Sequence, residues 1–236
     1  MNSPTLLRTA AAALACCTSF AHAAAVVYAQ DPAAGLSTGW TSQVGIGQGG
    51  YQTFDDFRVD HDARIGQVSW RGTYFTASGG ALRGAPPNSG AWTIEFWSGN
   101  AAGPLQQLYS QDYSAALVTR QLAQTIDPAG ANVNLYDFSL DLVLDFDVVA
   151  GQQYWFSVVS KSGTFSPFFS WTNADPLGLA FQRMYDAQGR VLSTFVRSGD
   201  RAFTLSENNV PEPTSLALVG CALLAGGLQA RRRTRA

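Results

Sequence analysis

The central part of the chain contains no cysteine. The 236 residues include three cysteines, Cys16, Cys17 and Cys221, and all three lie in terminal segments that we predict to be sorting signals. Residues 24–209 can therefore form no disulfide and present no thiol nucleophile. This segment is long enough for one domain, which we expect to be stabilised by packing alone.

Basic residues are scarce in the same segment. Residues 24–209 hold 16 of the 17 acidic residues but only 10 of the 15 basic ones, which gives a formal net charge of −6. Lys161 is the only lysine of the whole chain. Binding to nucleic acid requires a clustered basic surface, so we expect no nucleic-acid partner.

Residues 24–210 also lack any long stretch with apolar residues at helical spacing. Short runs of aromatic and β-branched residues alternate instead with clusters of Gly, Pro, Asn and Ser, a pattern that is typical of all-β domains. We predict strands at residues 51–59, 63–75, 92–97, 105–109, 117–125, 135–149, 153–161, 168–172, 179–186, 191–197 and 201–206.

The clearest alternation follows Asn134. One predicted face is apolar and the other is mainly acidic, as in an antiparallel sheet that is packed on one side. Fifteen residues are long for a single strand, so we predict a bend or bulge near residues 142–145. The apolar face consists of Tyr136, Phe138, Leu140, Leu142, Leu144, Phe146 and Val148.

The number of strands and turns predicts the fold class. Proline-rich residues 84–90 and glycine turns such as Ala150-Gly151 separate the predicted strands. We therefore expect an all-β domain at residues 24–209, a single antiparallel β-sandwich of the jelly-roll kind.

Two glycine motifs raise the possibility of catalysis or nucleotide binding. Gly45, Gly47 and Gly50 satisfy G-x-G-x-x-G, and Ser37 lies in G-x-S-x-G, but both motifs act between a strand and a helix. A β-like segment follows the first motif and no helix follows the second. His61 is the only histidine outside the N-terminal segment. We expect flexible loops here and no enzyme.

Carboxylates offer two further alternatives. Asp55, Asp56, Asp60 and Asp62 could contribute oxygen ligands to a structural calcium ion, although a turn explains the last two equally well. Glu95 is the only glutamate in a predicted strand and could serve a polysaccharide hydrolase, but a solvent-facing position is the simpler interpretation. We expect no cofactor and no metal.

Aromatic residues make up 12% of the chain. Exposed aromatic rings can stack on sugars, whereas buried ones fill the core of a sandwich. Trp70 and Trp97 are the candidates for glycan contacts, with core packing as the alternative for each.

The N-terminus has the pattern of a secretory signal peptide at residues 1–23. Arg8 precedes an apolar run from Thr9 to Phe20, which ends in the A-x-A cleavage pattern of Ala21 and Ala23. The run is too short to span a membrane as a helix. A lipoprotein signal is the alternative, because Leu14 stands three residues before Cys17.

The C-terminus, residues 210–236, combines three features in a fixed order. Pro211, Glu212 and Pro213 form an extended motif that ends the sheet. An apolar segment at residues 214–230 follows, long enough for a short transmembrane helix. The positive-inside rule places the final arginines in the cytoplasm: Arg231, Arg232, Arg233 and Arg235.

This tail resembles the PEP-CTERM sorting signal of Gram-negative bacteria. The resemblance implies that an exosortase in the inner membrane recognises Pro211-Glu212-Pro213, cleaves the tail and releases the protein to the surface or the exopolysaccharide matrix. The same tail is sometimes labelled an ice-binding protein C-terminal domain, which we do not take as evidence of ice binding. Segments such as 65–70 and 93–97 resemble the sandwich domains of such proteins, which have no established activity.

We therefore expect an exported surface or biofilm-matrix protein without catalytic activity. Its expected partners are signal peptidase, an exosortase, the inner membrane in transit and, as one possibility, an exopolysaccharide. A secreted carbohydrate-binding module is the main alternative, and a polysaccharide-active hydrolase the distant one.

Overall fold

The computed structural model describes residues 24–33, 39–76, 90–126, 133–163, 166–175 and 178–208. These residues form fourteen strands, one 3₁₀ turn at Ala115–Leu117 and no α-helix. The strands are β1 (Val26–Gln30), β2 (Trp40–Thr41), β3 (Gln43–Gly45), β4 (Gly49–Arg58), β5 (Ala63–Phe75), β6 (Ala91–Asn100), β7 (Gly103–Ser114), β8 (Thr119–Ile126), β9 (Val133–Val148), β10 (Gln153–Ser162), β11 (Phe168–Trp171), β12 (Leu179–Tyr185), β13 (Val191–Ser198) and β14 (Phe203–Ser206).

The predicted all-β class is confirmed. Each of the eleven predicted strands has a counterpart within a few residues, and the sequence pattern missed only β1, β2 and β3. β2 and β3 have two and three residues, too few for an alternation to be recognised. β1 begins shortly after the predicted signal peptide. The apolar residues of the signal peptide continue into β1, so no separate strand pattern can be recognised there.

The strands form two seven-stranded sheets. In the first sheet, β14 and β11 pair with successive parts of one edge of β5, and β9 pairs with the other edge. β1, β2 and β8 extend this sheet through β14, β11 and β9. The second sheet has the order β13-β12-β4-β3-β10-β6-β7.

One pairing departs from the purely antiparallel sandwich that we predicted. β4 pairs directly with β10 along Phe54–Arg58, but β3 lies between the two strands beyond that stretch and runs parallel to β10. The tight turn between β3 and β4 reverses the chain, so β3 fills the space where β4 and β10 separate. The second sheet is therefore mixed.

The core lies between the two sheets and is largely aromatic. Phe96 of the second sheet stacks on Phe146 of the first, with ring centroids 4.4 Å apart and 4° between the planes. Trp70 stacks on Phe138 of the neighbouring strand at 5.5 Å. Stacked and edge-to-face rings of this kind add to the free energy of apolar burial.

The bulge predicted in the longest strand is present. Ile65 pairs with Phe146 and Gln67 pairs with Asp141, so Gly66 alone stands opposite the four residues 142–145. Leu144 lies within the bulge and is 69% exposed, although we predicted it to be buried. The other six residues of the predicted apolar face are buried.

The predicted signal peptide and the predicted C-terminal helix lie outside the described residues. Within the part of the chain that the structure describes, no helix is long and apolar enough to cross a membrane.

Candidate functional site

The face of the second sheet that points away from the core carries an aromatic and polar site, which we call the Glu95 face. Phe54, Ser157, Glu95 and Ser110 stand in register on β4, β10, β6 and β7. Side chains directly opposite each other in antiparallel strands share one face of the sheet. This face is opposite to the one on which Phe57, Phe96 and Phe156 enter the core.

Three neighbouring side chains hold the Glu95 carboxylate. Gln52 Nε2 donates to Glu95 Oε2 at 2.5 Å, and Trp97 Nε1 donates to the same oxygen at 2.8 Å. Ser110 Oγ donates to Oε1 over a longer 3.3 Å. The carboxylate is partly exposed, with its more weakly bonded oxygen on the Ser110 side.

Gln52 is itself fixed by buried partners. Its Nε2 also donates to Ser157 Oγ at 3.0 Å, and Tyr185 donates its hydroxyl hydrogen to Gln52 Oε1 at 2.7 Å. Ser157 is fully buried and donates in turn to the carbonyl of Thr53 at 2.8 Å. Burial raises the pKa of Tyr185, so the phenol remains a protonated donor at neutral pH.

Aromatic rings surround this polar network. Phe54, Trp155 and Phe181 are buried on the outer side of the sheet, and Trp97 packs against them. The Arg183 guanidinium lies 4.8 Å from the ring centroids of both Phe54 and Trp97, within the range of a cation–π interaction.

The turn between β6 and β7 folds over the aromatic end of this face. The Arg183 guanidinium donates to the carbonyl of Pro104 at 2.8 Å, and Gly103 lies against Phe181. A Cβ atom at Gly99 would lie 2.5 Å from the Trp155 indole, so only glycine permits this approach. The turn thereby forms a wall beside the Glu95 network.

The arrangement combines groups of the kinds that contact polyhydroxylated ligands. It presents a carboxylate acceptor, fixed amide and phenol groups, a guanidinium and aromatic ring edges within one face of the sheet. Sequence reasoning had singled out Glu95 and Trp97 separately. It missed Gln52, Ser157 and Tyr185, because a strand pattern assigns residues to faces but does not say which strands are neighbours.

The outer face of the first sheet is built differently. Arg71 forms a bidentate ion pair with Asp137, at 2.7 and 2.9 Å, and Arg64 pairs with Asp147 at 2.8 Å. Each pair joins residues that stand directly opposite each other on β5 and β9. A groove of about 300 Å³ beside Arg71 is lined by four hydroxyl residues in register, namely Thr204, Ser69, Ser139 and Thr119.

A larger cavity of about 690 Å³ lies among the turns at one end of the second sheet. Its charged groups are paired within the protein. Lys161 Nζ lies 2.7 Å from both carboxylate oxygens of Asp112, and Asp186 accepts from Arg190. Five of the thirteen residues that line this cavity are glycine.

The four aspartates proposed for calcium are not brought together. Asp55 is fully buried, and Asp56 accepts from Gln153 Nε2 at 2.9 Å. Asp60 contacts His61 at 2.5 Å in an exposed bend, and Asp62 accepts from the backbone of Ala150. Among the described residues, no group of three or more His, Cys, Asp or Glu side chains is arranged to hold a metal ion.

Asp55 instead connects the two sheets from the inside. It accepts hydrogen bonds from the backbone nitrogens of Arg201 and Asp56. The Arg201 side chain is also fully buried and donates to the carbonyls of Ser198 and Gly199. Burial raises the pKa of Asp55 well above its usual range and lowers the pKa of Arg201 to about 10.

The glycine motifs do not have the surroundings that their chemistry requires. Gly45–Gly50 forms the turn between β3 and β4, with Gly47 in the left-handed region at φ 70°, and a strand follows it. Ser37 lies outside the described residues. His61 has a 63% exposed side chain and contacts Asp60 alone among the hydrogen-bonding groups of the described chain.

The glycan contact proposed for Trp70 is wrong in this fold. Trp70 is 2% exposed and packs in the core against Trp92 and Phe138. Its position on β5 alternates with Ser69 and Arg71, which point to the outer face. Trp97 is partly exposed and remains available on the Glu95 face.

The predicted processing sites lie outside the described residues. These are the signal cleavage residues Ala21 and Ala23, the motif Pro211-Glu212-Pro213, and the arginine cluster.

A family model for the PEP-CTERM protein-sorting motif matches residues 209–233. No curated protein and no solved structure matches the chain. The matched residues include the predicted proline motif, the apolar segment and three of the four arginines. The motif implies export with membrane-anchored sorting by an exosortase. The chain is thus a PEP-CTERM exported protein with a β-rich ectodomain.

Proposed function

We propose that this protein is a non-catalytic component of the cell surface or the exopolysaccharide matrix. The match of the PEP-CTERM motif to residues 209–233 is the observation that carries the proposal. An exosortase recognises Pro211-Glu212-Pro213, and cleavage releases the β-sandwich from the membrane.

Each part of the tail has a physical role in this proposal. The two prolines keep the backbone extended and lacking N–H donors, which presents Glu212 to the processing enzyme. The apolar residues 214–230 form a short membrane stop, and the arginines that follow hold the C-terminus in the cytoplasm. At the other end, signal peptidase cleaves after Ala23 and leaves the ectodomain outside.

The described ectodomain supports a role without catalysis. Nucleophilic catalysis needs a base within hydrogen-bond reach of the nucleophile, and His61, in its exposed bend, has Asp60 as its hydrogen-bond partner. The Glu95 carboxylate accepts hydrogen bonds from Gln52, Trp97 and Ser110, none of which is a second carboxyl group. Glycoside hydrolysis ordinarily uses a pair of carboxyl groups.

Intact-mass analysis tests the sorting step. The protein is recovered from the membrane, surface and medium of its native host, as the natural chain and as the Pro211→Ala/Glu212→Ala/Pro213→Ala variant. We expect the natural chain to lose about 2.5 kDa from its C-terminus, at on the order of 110 Da for each of roughly two dozen residues. The variant should keep its tail and remain in the membrane fraction.

A matched control separates motif recognition from general damage to the tail. Thr214→Ala changes a neighbouring residue and leaves the three motif residues intact, so its processing should be normal. A full-length tail in the natural protein, unaffected by the motif variant, would overturn the proposal and indicate a permanently anchored ectodomain.

A further inference from the structure

We propose that the Glu95 face is a binding site for neutral sugar residues of an exported polysaccharide. The proposal rests on the proposed function for where the polymer is met, since a matrix protein works among polysaccharides. It goes further by naming the site, its residues and the chemical class of the ligand.

Glu95 is the centre of the site because its carboxylate has acceptor capacity left. An ionised carboxylate has about four acceptor positions on its two oxygens. Oε2 receives two short hydrogen bonds from Gln52 and Trp97, whereas Oε1 receives one long bond from Ser110. Oε1 can therefore accept from a sugar hydroxyl without loss of the bonds that orient the group.

The network around Glu95 is rigid before any ligand arrives. Gln52 is 6% exposed and Ser157 is fully buried, and the chain of hydrogen bonds from Tyr185 through Gln52 to Glu95 crosses three strands. A polar site that is held in place by its own scaffold loses less entropy on binding than a flexible one. Such a network has no role in the core, because it lies on the outer side of the sheet.

The aromatic rings supply the apolar part of the site. Sugars carry C–H faces beside their hydroxyl groups, and such faces pack on aromatic rings. Trp97 is partly exposed and directs its indole nitrogen to Glu95, which fixes the ring plane. Arg183 covers Trp97 and Phe54 at 4.8 Å and brings guanidinium donors to the same edge of the site.

The charge of the domain selects a neutral polymer. Residues 24–209 have a formal net charge of −6, and the centre of the site is itself a carboxylate. A uronic acid or a sulfated sugar would place a second negative charge beside Glu95, where like charges repel. Neutral hexoses offer hydroxyl donors to Glu95 without this cost.

The test is a binding measurement on the full-length protein purified in detergent. The probe is a set of neutral oligosaccharides released from the exopolysaccharide of the native host, with oligogalacturonate as the acidic comparison. Titration calorimetry should give saturable binding of the neutral probe and much weaker binding of the acidic one.

Glu95→Gln sharpens the test. Because Gln52 and Trp97 both donate to the same oxygen, the glutamine carbonyl will occupy that position and its NH₂ group will replace the Oε1 acceptor. We expect affinity for the neutral probe to fall on the order of tenfold or more, since a sugar hydroxyl then meets a donor. Asp137→Asn, on the outer face of the first sheet, should bind like the natural protein.

The outcomes separate this proposal from the sorting proposal. Absence of saturable binding, unchanged affinity in Glu95→Gln with a normal melting temperature, or preference for oligogalacturonate would each overturn the site. If Glu95→Gln unfolds, Ser110→Ala replaces it, because it alters only the exposed side of the carboxylate. Binding is measured without processing, so a protein that is never cleaved but binds would refute only the sorting proposal.

Discussion

The outer faces of the two sheets differ in how they satisfy their polar groups. On the first sheet, charged side chains pair with the residue directly opposite, as Arg71 does with Asp137 and Arg64 with Asp147, and the carboxylate of each pair is at least half exposed. On the second sheet, the Glu95 network extends over several strands and lies beside buried Phe54 and Trp155.

This difference distinguishes an ordinary strand surface from a built site. Exposed cross-strand ion pairs contribute little, typically about 0–1 kcal/mol, because water screens both charges. Buried polar groups cost free energy unless every partner is in place. The Glu95 network has its partners in place within the protein, which suits the ligand binding that we propose for this face.

The largest expected effect comes from an aromatic residue on the outer face of the second sheet. Trp155 is 1% exposed although it lies outside the core, and its ring packs edge-on against Phe181 at 5.0 Å. We expect Trp155→Ala to lower the free energy of unfolding by about 3–5 kcal/mol, measured by urea denaturation. A loss of unfolding free energy below about 1 kcal/mol would mean that the outer face of the second sheet is as solvated as that of the first sheet.

The second largest effect on stability is expected from the Glu95 network. Gln52→Ala removes the partner of Tyr185, Ser157 and Glu95 at once, so we expect a loss of about 1–3 kcal/mol by the same measurement. Gln67→Ala is the matched control, because Gln67 bonds to Asp141 on the exposed face of the first sheet. Equal losses of unfolding free energy in the two variants would mean that the outer faces of the two sheets do not differ in this respect.

The pH dependence of stability tests the burial of Asp55 on the second sheet. Burial raises the pKa of Asp55, and also those of Asp56 and Asp200, so the folded state binds protons more tightly than the unfolded state. The stabilisation is present at low pH and is lost as the pH rises from about 4 through the folded pKa values.

We therefore expect the melting temperature to increase by a few degrees when the pH is lowered from 7 to 5. A change of about 1 kcal/mol in the free energy of unfolding shifts the melting temperature by a few degrees in a domain of this size. Asp55→Asn should reduce this increase, because it removes the carboxyl group whose pKa burial raises. A melting temperature that falls steadily over this range would contradict the assignment of a raised pKa to Asp55.

The smallest effect on stability is expected on the outer face of the first sheet. Arg71→Ala breaks the bidentate pair with Asp137, whose side chain is half exposed, and should cost about 0–1 kcal/mol. Added salt should reduce the difference between the variant and the natural protein. A loss of unfolding free energy above about 2 kcal/mol would show that the ion pairs on the outer face of the first sheet also contribute strongly to stability.

Much of the local structure could be predicted from the sequence. The alternation after Asn134 located β9, and its excessive length for one strand located the bulge opposite Gly66. The exposure of Leu144 could not be predicted, because this residue lies among the unpaired residues of the bulge while the alternation continues on both sides of it. The parallel pairing of β3 was likewise invisible in a three-residue segment.

The candidate site could be predicted only in fragments. The tail motif is contiguous, and its chemistry depends on residue order alone, so the sequence was sufficient for it. Glu95 and Trp97 were recognised as unusual strand residues, but Trp70, with the same local pattern, proved to be a core residue. Local alternation separates two faces of a strand without stating which one meets the opposing sheet.

The all-β class, the approximate strand positions and the sorting tail follow from the sequence, because they depend on short-range patterns of apolar, turn and charged residues. Which strands are neighbours and which faces enclose the core depend on contacts between distant parts of the chain, so the folded structure was needed to show them. Gln52, Ser157 and Glu95 are separated by dozens of residues in the chain, and only the pairing of β4, β10 and β6 places them within hydrogen-bonding distance.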